Sequence, residues 1–109
     1  MAPALMRPIL EKALLSLRDR ANANGECYGG EILDCVREAG IALGVSSIEV
    51  VLTRGVLMRA MEAEGALDPA GMLQDYENRV PVSEALRYLR RAIARNTSNA
   101  AASVCFKTP

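Results

Sequence analysis

The stretch from Ser46 to Leu67 constrains the fold of this chain most, because it predicts one long helix with apolar residues on nearly every side. Ser46 and Glu49 form the S-x-x-E capping box that starts a helix, and Gly65 is placed to end it. At about 100° per residue, the apolar side chains spread around most of the helical circumference. Such a helix is either the central helix of a small bundle or a surface made for a partner.

Length and composition favour one folded domain. A chain of 109 residues, half of them apolar, can bury a modest core and is not disordered. Its 13 basic and 13 acidic residues balance, which removes the simplest argument for a nucleic-acid binder. The balance is uneven along the chain, because residues 81–109 carry five basic residues and one acidic residue.

Helical periodicity extends over most of the remaining sequence. It predicts helices over residues 8–21 and 30–43, and a further helix capped by Ser83. Residues 72–82 allow either a short helix or an extended segment, because Pro81 pushes Val80 toward extended geometry. The predicted fold is therefore all-α, a compact bundle of four or five helices around the apolar helix at about 46–64. It leaves room for one short extended or wing-like segment near 78–82.

Within this bundle, we expect Leu52 and Val56 to be core residues of the central helix. Residues 1–95 form the single predicted helical domain. Residues 96–109 form a tail that is either flexible or docked through Phe106.

The helix after Ser83 is strongly amphipathic. Leu86, Leu89 and Ile93 lie within an arc of roughly 60°, and arginines occupy the opposite side. This side can contact phosphates, an acidic protein surface, or solvent alone. The candidate partner-binding residues are Arg87, Arg90, Arg91 and Arg95, with Arg54 and Arg79 elsewhere in the chain.

The order of segments between residues 40 and 95 resembles the winged-helix transcription regulators. The resemblance rests on the string ALGVSS, a helix ending in MEAEGAL, and the stretch DPAGMLQDYENRVPVS, which together cover about half the chain. It implies DNA binding by a recognition helix and a wing. The positions that it implies for groove and wing contacts are Ser46, Ser47, Glu49, Thr53, Arg54, Asn78 and Arg79.

The chain also departs from this family. The stretch between GVS and MEAEG is about one helical turn longer than usual. Its middle, IEVVL, holds a carboxylate and no cluster of the Arg, Lys, Asn or Gln side chains that read base edges.

Catalytic and cofactor chemistry has little support in the sequence. There is no histidine, and Cys27, Cys35 and Cys105 show no C-x-x-C spacing, which predicts reduced thiols and no metal site. Tyr28-Gly29-Gly30 lacks the glycine spacing and the lysine of a phosphate-binding loop. The acidic residues are scattered over helix faces, as solvated charges are. We therefore expect no enzymatic activity and no cofactor.

Neither a membrane span nor the apolar core of a signal peptide is present in the sequence, so a cytoplasmic location is expected. The predicted function is a small non-enzymatic interaction module, acting as a regulator, inhibitor or adaptor. It binds another protein or self-associates through apolar helical surface. The alternative is a DNA-binding transcriptional regulator with a winged-helix-like core, which would place its arginines on one continuous surface.

Overall fold

Five helices and two short strands make up the part of the chain that the structure describes. The computed structural model describes the backbone of residues 2–20 and 25–107 and the side chains of residues 6–20 and 25–95. In chain order the elements are α1 (Ala2–Arg20), β1 (Glu26–Tyr28), α2 (Gly29–Leu43), α3 (Ser47–Ala63), α4 (Pro69–Met72), β2 (Arg79–Pro81) and α5 (Val82–Lys107). The predicted all-α bundle is confirmed.

The core lies between α1, α2, α3 and α5. On α1, Ile9, Leu10, Ala13 and Leu17 are fully buried, as the spacing of one helical stripe requires. This stripe packs against α2 and α5 and also contacts α3. The same core cluster includes Ile32, Val36, Leu57, Met61 and Leu89.

The two strands form one antiparallel pair that ties the start of α2 to the start of α5. Cys27 lies opposite Val80 in the register. The ladder is extended by the Val82 N–H group, which donates to the Gly25 carbonyl at 2.8 Å. The extended segment at 79–81 is one of the two predicted alternatives for this region, whereas β1 was not predicted.

The glycines at the start of α2 are needed for close packing. A Cβ at Gly29 would collide with the Met72 carbonyl, and a Cβ at Gly30 would collide with the Tyr76 ring. The Gly30 N–H group donates to the Asp75 carbonyl at 2.8 Å. This end of α2 therefore packs against the segment after α4 and does not form an open phosphate-binding turn.

Two predicted helix starts are wrong by different amounts. The first helix begins at Ala2, so Pro8 lies inside it and not at its first position. The good helix formers before Pro8, such as Leu5 and Met6, favour this extension. The last helix begins at Val82, one residue before the predicted cap Ser83, and its backbone runs to Lys107. The side chains of the predicted tail, Phe106 included, lie outside the described residues.

Candidate functional site

A three-residue turn joins α2 to α3 and sets the shape of this end of the molecule. Gly44 ends α2 in the left-handed region, with φ at 70°. The Val45 N–H group donates to the Gly40 carbonyl at 3.1 Å. Ser46 then caps α3 by accepting a hydrogen bond from the Glu49 N–H group at 3.3 Å. The Ser46 half of the predicted capping box is therefore present, and the Glu49 side chain accepts from the Ser46 hydroxyl at 3.3 Å.

Close packing of α2 on α3 depends on Gly40. A Cβ at this position would meet the side chains of Val50 and Val45. The glycine lets the start of α3 approach the last turns of α2. This brings exposed residues from the ends of two helices next to one another.

The apolar face consists of Ile41, Ile48, Val51, Leu52 and Gly55. Its four large side chains are 79%, 70%, 63% and 46% exposed in that order. The four residues on α3 follow the spacing i, i+3, i+4 and i+7 and therefore lie on one side of the helix. Ile41 and Val51 also line a groove of about 440 Å³ between α2 and α3, together with Arg37, Val45, Ser47 and Val50.

The expectation that Leu52 is a core residue is wrong. The buried residues of α3 are Thr53, Leu57, Ala60 and Met61, which point to the opposite side of the helix from Leu52. Val56 is half-buried and packs against the core without belonging to its buried cluster, so the expectation holds for it only in part. Thus α3 contributes one side to the core and leaves another apolar side exposed.

Gly55 forms a notch at one end of the apolar face. Apart from its two chain neighbours and the backbone of α3 itself, no atom lies within 4 Å of the position that a Cβ would occupy, so no packing contact in the described chain requires glycine there. Glycine inside a helix costs about 1 kcal/mol relative to alanine. The position therefore weakens α3 without improving its packing in the isolated chain.

The arginine side of α5 is partly neutralised by α3. Arg87 Nε lies 2.9 Å from Glu64 Oε1, and Arg91 Nε lies 3.8 Å from Glu64 Oε2. Arg90 is exposed and Arg95 is half-buried. Two of the four candidate arginines therefore share an acidic partner within the chain.

The remaining candidate arginines lie on other elements of the fold, Arg79 on β2 and Arg54 on α3. The Arg79 guanidinium carbon lies 5.4 Å from the centre of the Tyr28 ring, beside the β1–β2 pair. Arg54 is half-buried, and its Nε has no hydrogen-bond partner. It lies about 140° around α3 from the exposed Arg59, so these two arginines do not share a helix face.

Several positions implied by the winged-helix resemblance are occupied within the chain. Thr53 is fully buried and donates to the Glu49 carbonyl at 2.7 Å, so it cannot contact a base edge. The Asn78 side-chain amide donates to Asp75 Oδ2 at 3.2 Å, and Arg79 stacks on Tyr28. Ser47 is exposed at the start of α3. The surface beside it is the apolar face.

A polar cluster around Tyr76 lies at the other end of α2. The Tyr76 hydroxyl donates to Asp34 Oδ2 at 2.5 Å and lies 3.2 Å from the Gly30 carbonyl. The hydrogen bond to Asp34, followed by burial, raises the pKa of Tyr76. The contacts hold the segment after α4 onto α2, which gives the cluster a structural role.

Described residues with catalytic chemistry are buried or scattered. Cys27 and Cys35 are free and buried. Burial raises the pKa of the Cys27 thiol to about 11, so it stays protonated at neutral pH and is a poor nucleophile. Within the described part of the chain, no group of three or more potential metal ligands is present. None of the described helices is long and apolar enough to cross a membrane.

Comparisons with known proteins add no identification, because no family model, curated protein or solved structure matches this chain. The sequence indicates the helix that carries the apolar face, but not the exposed residues that form this candidate site. The excess of apolar residues at 46–64 indicated that helix. Periodicity alone did not show which of those residues are exposed.

Proposed function

We propose that this chain is a small non-enzymatic interaction module that binds protein through the apolar face. In this role it works in the cytoplasm as a regulator, inhibitor or adaptor. The observation that carries the proposal is the exposure of Ile41, Ile48, Val51 and Leu52 side by side at the α2–α3 turn. Contiguous apolar surface of this kind typically marks a site of protein interaction.

The size of the apolar contribution is consistent with a reversible interaction. The four side chains together expose the equivalent of two to three whole apolar side chains. Covering them contributes on the order of 4–8 kcal/mol. Association costs a comparable amount, about 4–15 kcal/mol, in lost freedom of motion. The apolar face therefore needs additional contacts at its rim to give tight binding.

The contrast with the arginine side of α5 also supports this choice. Arg87 and Arg91 already have an acidic partner in Glu64, whereas the large side chains of the apolar face are exposed. Surface ion pairs contribute little, typically about 0–1 kcal/mol, whether they form within the chain or with a partner. The larger gain on binding comes from the apolar face.

A matched pair of substitutions tests the proposal. Leu52→Glu places a charge in the apolar face, and Leu67→Glu places the same charge at a leucine that is 101% exposed outside it. The full chain should capture proteins, which include further copies of itself. This capture should be lost with Leu52→Glu and retained with Leu67→Glu. Capture that survives both substitutions, or is lost equally in both, contradicts the proposal.

A DNA-binding regulator is the second candidate, favoured by the three-residue α2–α3 turn and the pairing of β1 with β2. A helix-turn-helix places its second helix in the major groove. Here that helix exposes Ile48, Val51 and Leu52. Fluorescence anisotropy with random-sequence duplex DNA over a salt series tests this candidate. Salt-sensitive binding that weakens on Arg87→Gln and Arg91→Gln would support it, because phosphate contacts release counterions.

A further inference from the structure

We infer that the occupant of the apolar face is a second copy of this chain. The α3 helices of the two copies pack antiparallel about a two-fold axis centred between Val51 and Leu52. The inference rests on the proposed function, because it names the partner that the apolar face takes. It goes further by specifying the pairing of residues across the contact.

The shape of the apolar face is self-complementary under this symmetry. Ile48 and Gly55 each lie three and a half residues, about 5 Å along the axis, from the centre and on opposite sides of it. The two-fold axis therefore places Ile48 of each copy over Gly55 of the other. Ile48 is 70% exposed, and the Cβ position at Gly55 has no neighbouring side chain within 4 Å. A two-fold contact requires such paired projections and notches. The notch explains a glycine that the isolated chain does not need.

The rim of this contact includes Arg59, which is exposed on the same side of α3, about 11 Å along the axis from the centre. In the opposite direction α3 begins at Ser47, about 7 Å from the centre, and the three-residue turn from α2 precedes it. Arg59 of each copy therefore extends past the start of α3 in the other copy, toward that turn.

The charge and size of the chain permit a weak dimer. The formal net charge is zero, so no net charge opposes self-association. A standard interface takes about 800 Å² from each partner, roughly an eighth of the 6365 Å² surface of this chain. The apolar face and its rim span only two to three turns of α3 and the end of α2. The contact therefore belongs to the small, reversible class, with a Kd of micromolar or above.

Sedimentation velocity between roughly 1 µM and 500 µM tests the association. We expect a concentration-dependent monomer–dimer equilibrium. Gly55→Leu adds apolar surface, which would strengthen nonspecific association but fills the notch that Ile48 needs. We expect it to weaken the dimer by about ten-fold or more. Ala94→Leu, which adds the same side chain at an exposed position on α5, is the matched control. It should leave the Kd within about two-fold.

Two results of this experiment overturn the inference. One is a strict monomer across the whole concentration range. The other is a Gly55→Leu variant that dimerises as tightly as the parent chain, or more tightly, while Ala94→Leu behaves as the parent.

Electron–electron distance measurements test the orientation. Spin labels at Ser47→Cys and, separately, Glu62→Cys would sit at exposed positions near opposite ends of α3, in a Cys105→Ser background. The antiparallel pairing predicts distances between copies of roughly 15–20 Å for position 47 and roughly 30–35 Å for position 62. Equal distances at the two positions indicate parallel helices and overturn the pairing.

Failure of this inference is distinguishable from failure of the proposed function. A chain that stays monomeric but binds a different protein, with loss on Leu52→Glu and not on Leu67→Glu, overturns the second-copy inference alone. A chain with neither self-association nor binding that depends on Leu52 overturns both.

Discussion

The two sides of α3 have similar apolar composition and different environments. Leu57 and Met61 are fully buried, whereas Ile48, Val51 and Leu52 are 46–70% exposed on the opposite side. Helices α1, α2 and α5 contact α3, and the buried residues of α3 all lie on one side of it. A helix that is apolar all round is therefore not necessarily buried all round.

The α5 arginines differ from the exposed side of α3 because two of them already have an ion-pair partner within the chain. Glu64, near the end of α3, pairs with both Arg87 and Arg91. Covering the apolar face would contribute more free energy than new ion pairs on the arginine side, although the arginines form a regular pattern in the sequence.

The largest expected effect on stability comes from a matched pair of substitutions, one on each side of α3. Leu57→Ala opens a cavity in the core and should lower the free energy of unfolding by about 2–5 kcal/mol. Leu52→Ala removes a half-exposed side chain and should cost less than about 1 kcal/mol. Urea denaturation at low micromolar concentration, where association is minimal, measures both. Equal costs would show that the two sides do not differ in packing.

Alanine substitutions at two glycines, one at a packed contact of α3 and one on its exposed side, should change the stability of the monomer in opposite directions. Gly40→Ala would press a Cβ against Val50 at the α2–α3 contact and should destabilise the monomer by about 1–3 kcal/mol. Gly55→Ala enters open space in a helix interior and should stabilise it by up to about 1 kcal/mol. Thermal unfolding monitored by circular dichroism gives both values. If Gly55→Ala destabilises the monomer, the notch is needed within the chain itself and not for a partner.

Local sequence signals predicted the helical class and the α2–α3 turn well. The Ser46 cap and the Gly44 terminus act through neighbouring backbone groups, so the residues that create them are close in sequence. The sequence predicts the extended segment at 79–81 only as one of two alternatives, because Pro81 restricts only its immediate neighbour.

Features that depend on distant residues were not predictable in the same way. The exposed side of α3 is decided by how α1 and α5 pack, and apolar residues on both sides of α3 give no periodic signal for the choice. The pairing of Glu64 with Arg87 joins the residue after α3 to α5. Strand β1 is three residues long and is stabilised by a partner strand about fifty residues away, so its own sequence gives too short a pattern.

Substitutions on the arginine side of α5 should have a smaller effect on the free energy of unfolding. Replacing Arg87 and Arg91 together with Gln removes both ion pairs to Glu64, and the free energy of unfolding should change by less than about 1 kcal/mol because the arginines are half-exposed. Arg90→Gln, at an exposed arginine on the same helix, is the control. Denaturation at low and high salt measures the change. A loss of several kcal/mol at low salt would show that the arginine side stabilises the fold.

The smallest expected effect concerns Tyr76, at the opposite end of α2 from the apolar face. Its hydroxyl donates to Asp34, and this hydrogen bond raises the pKa of the phenol in the folded state. A group whose pKa is raised on folding stabilises the fold below its unfolded pKa, about 10 for tyrosine, and the stabilisation is lost as the pH rises through the folded value. Tyr76→Phe should therefore lower the free energy of unfolding at pH 7, and the difference from the parent chain should shrink above about pH 10. Tyr88, whose pKa is raised mainly by burial and then by Glu84, remains in both chains, so its titration cancels from the difference. If the difference between the chains is constant from neutral to alkaline pH, ionisation of Tyr76 does not affect stability.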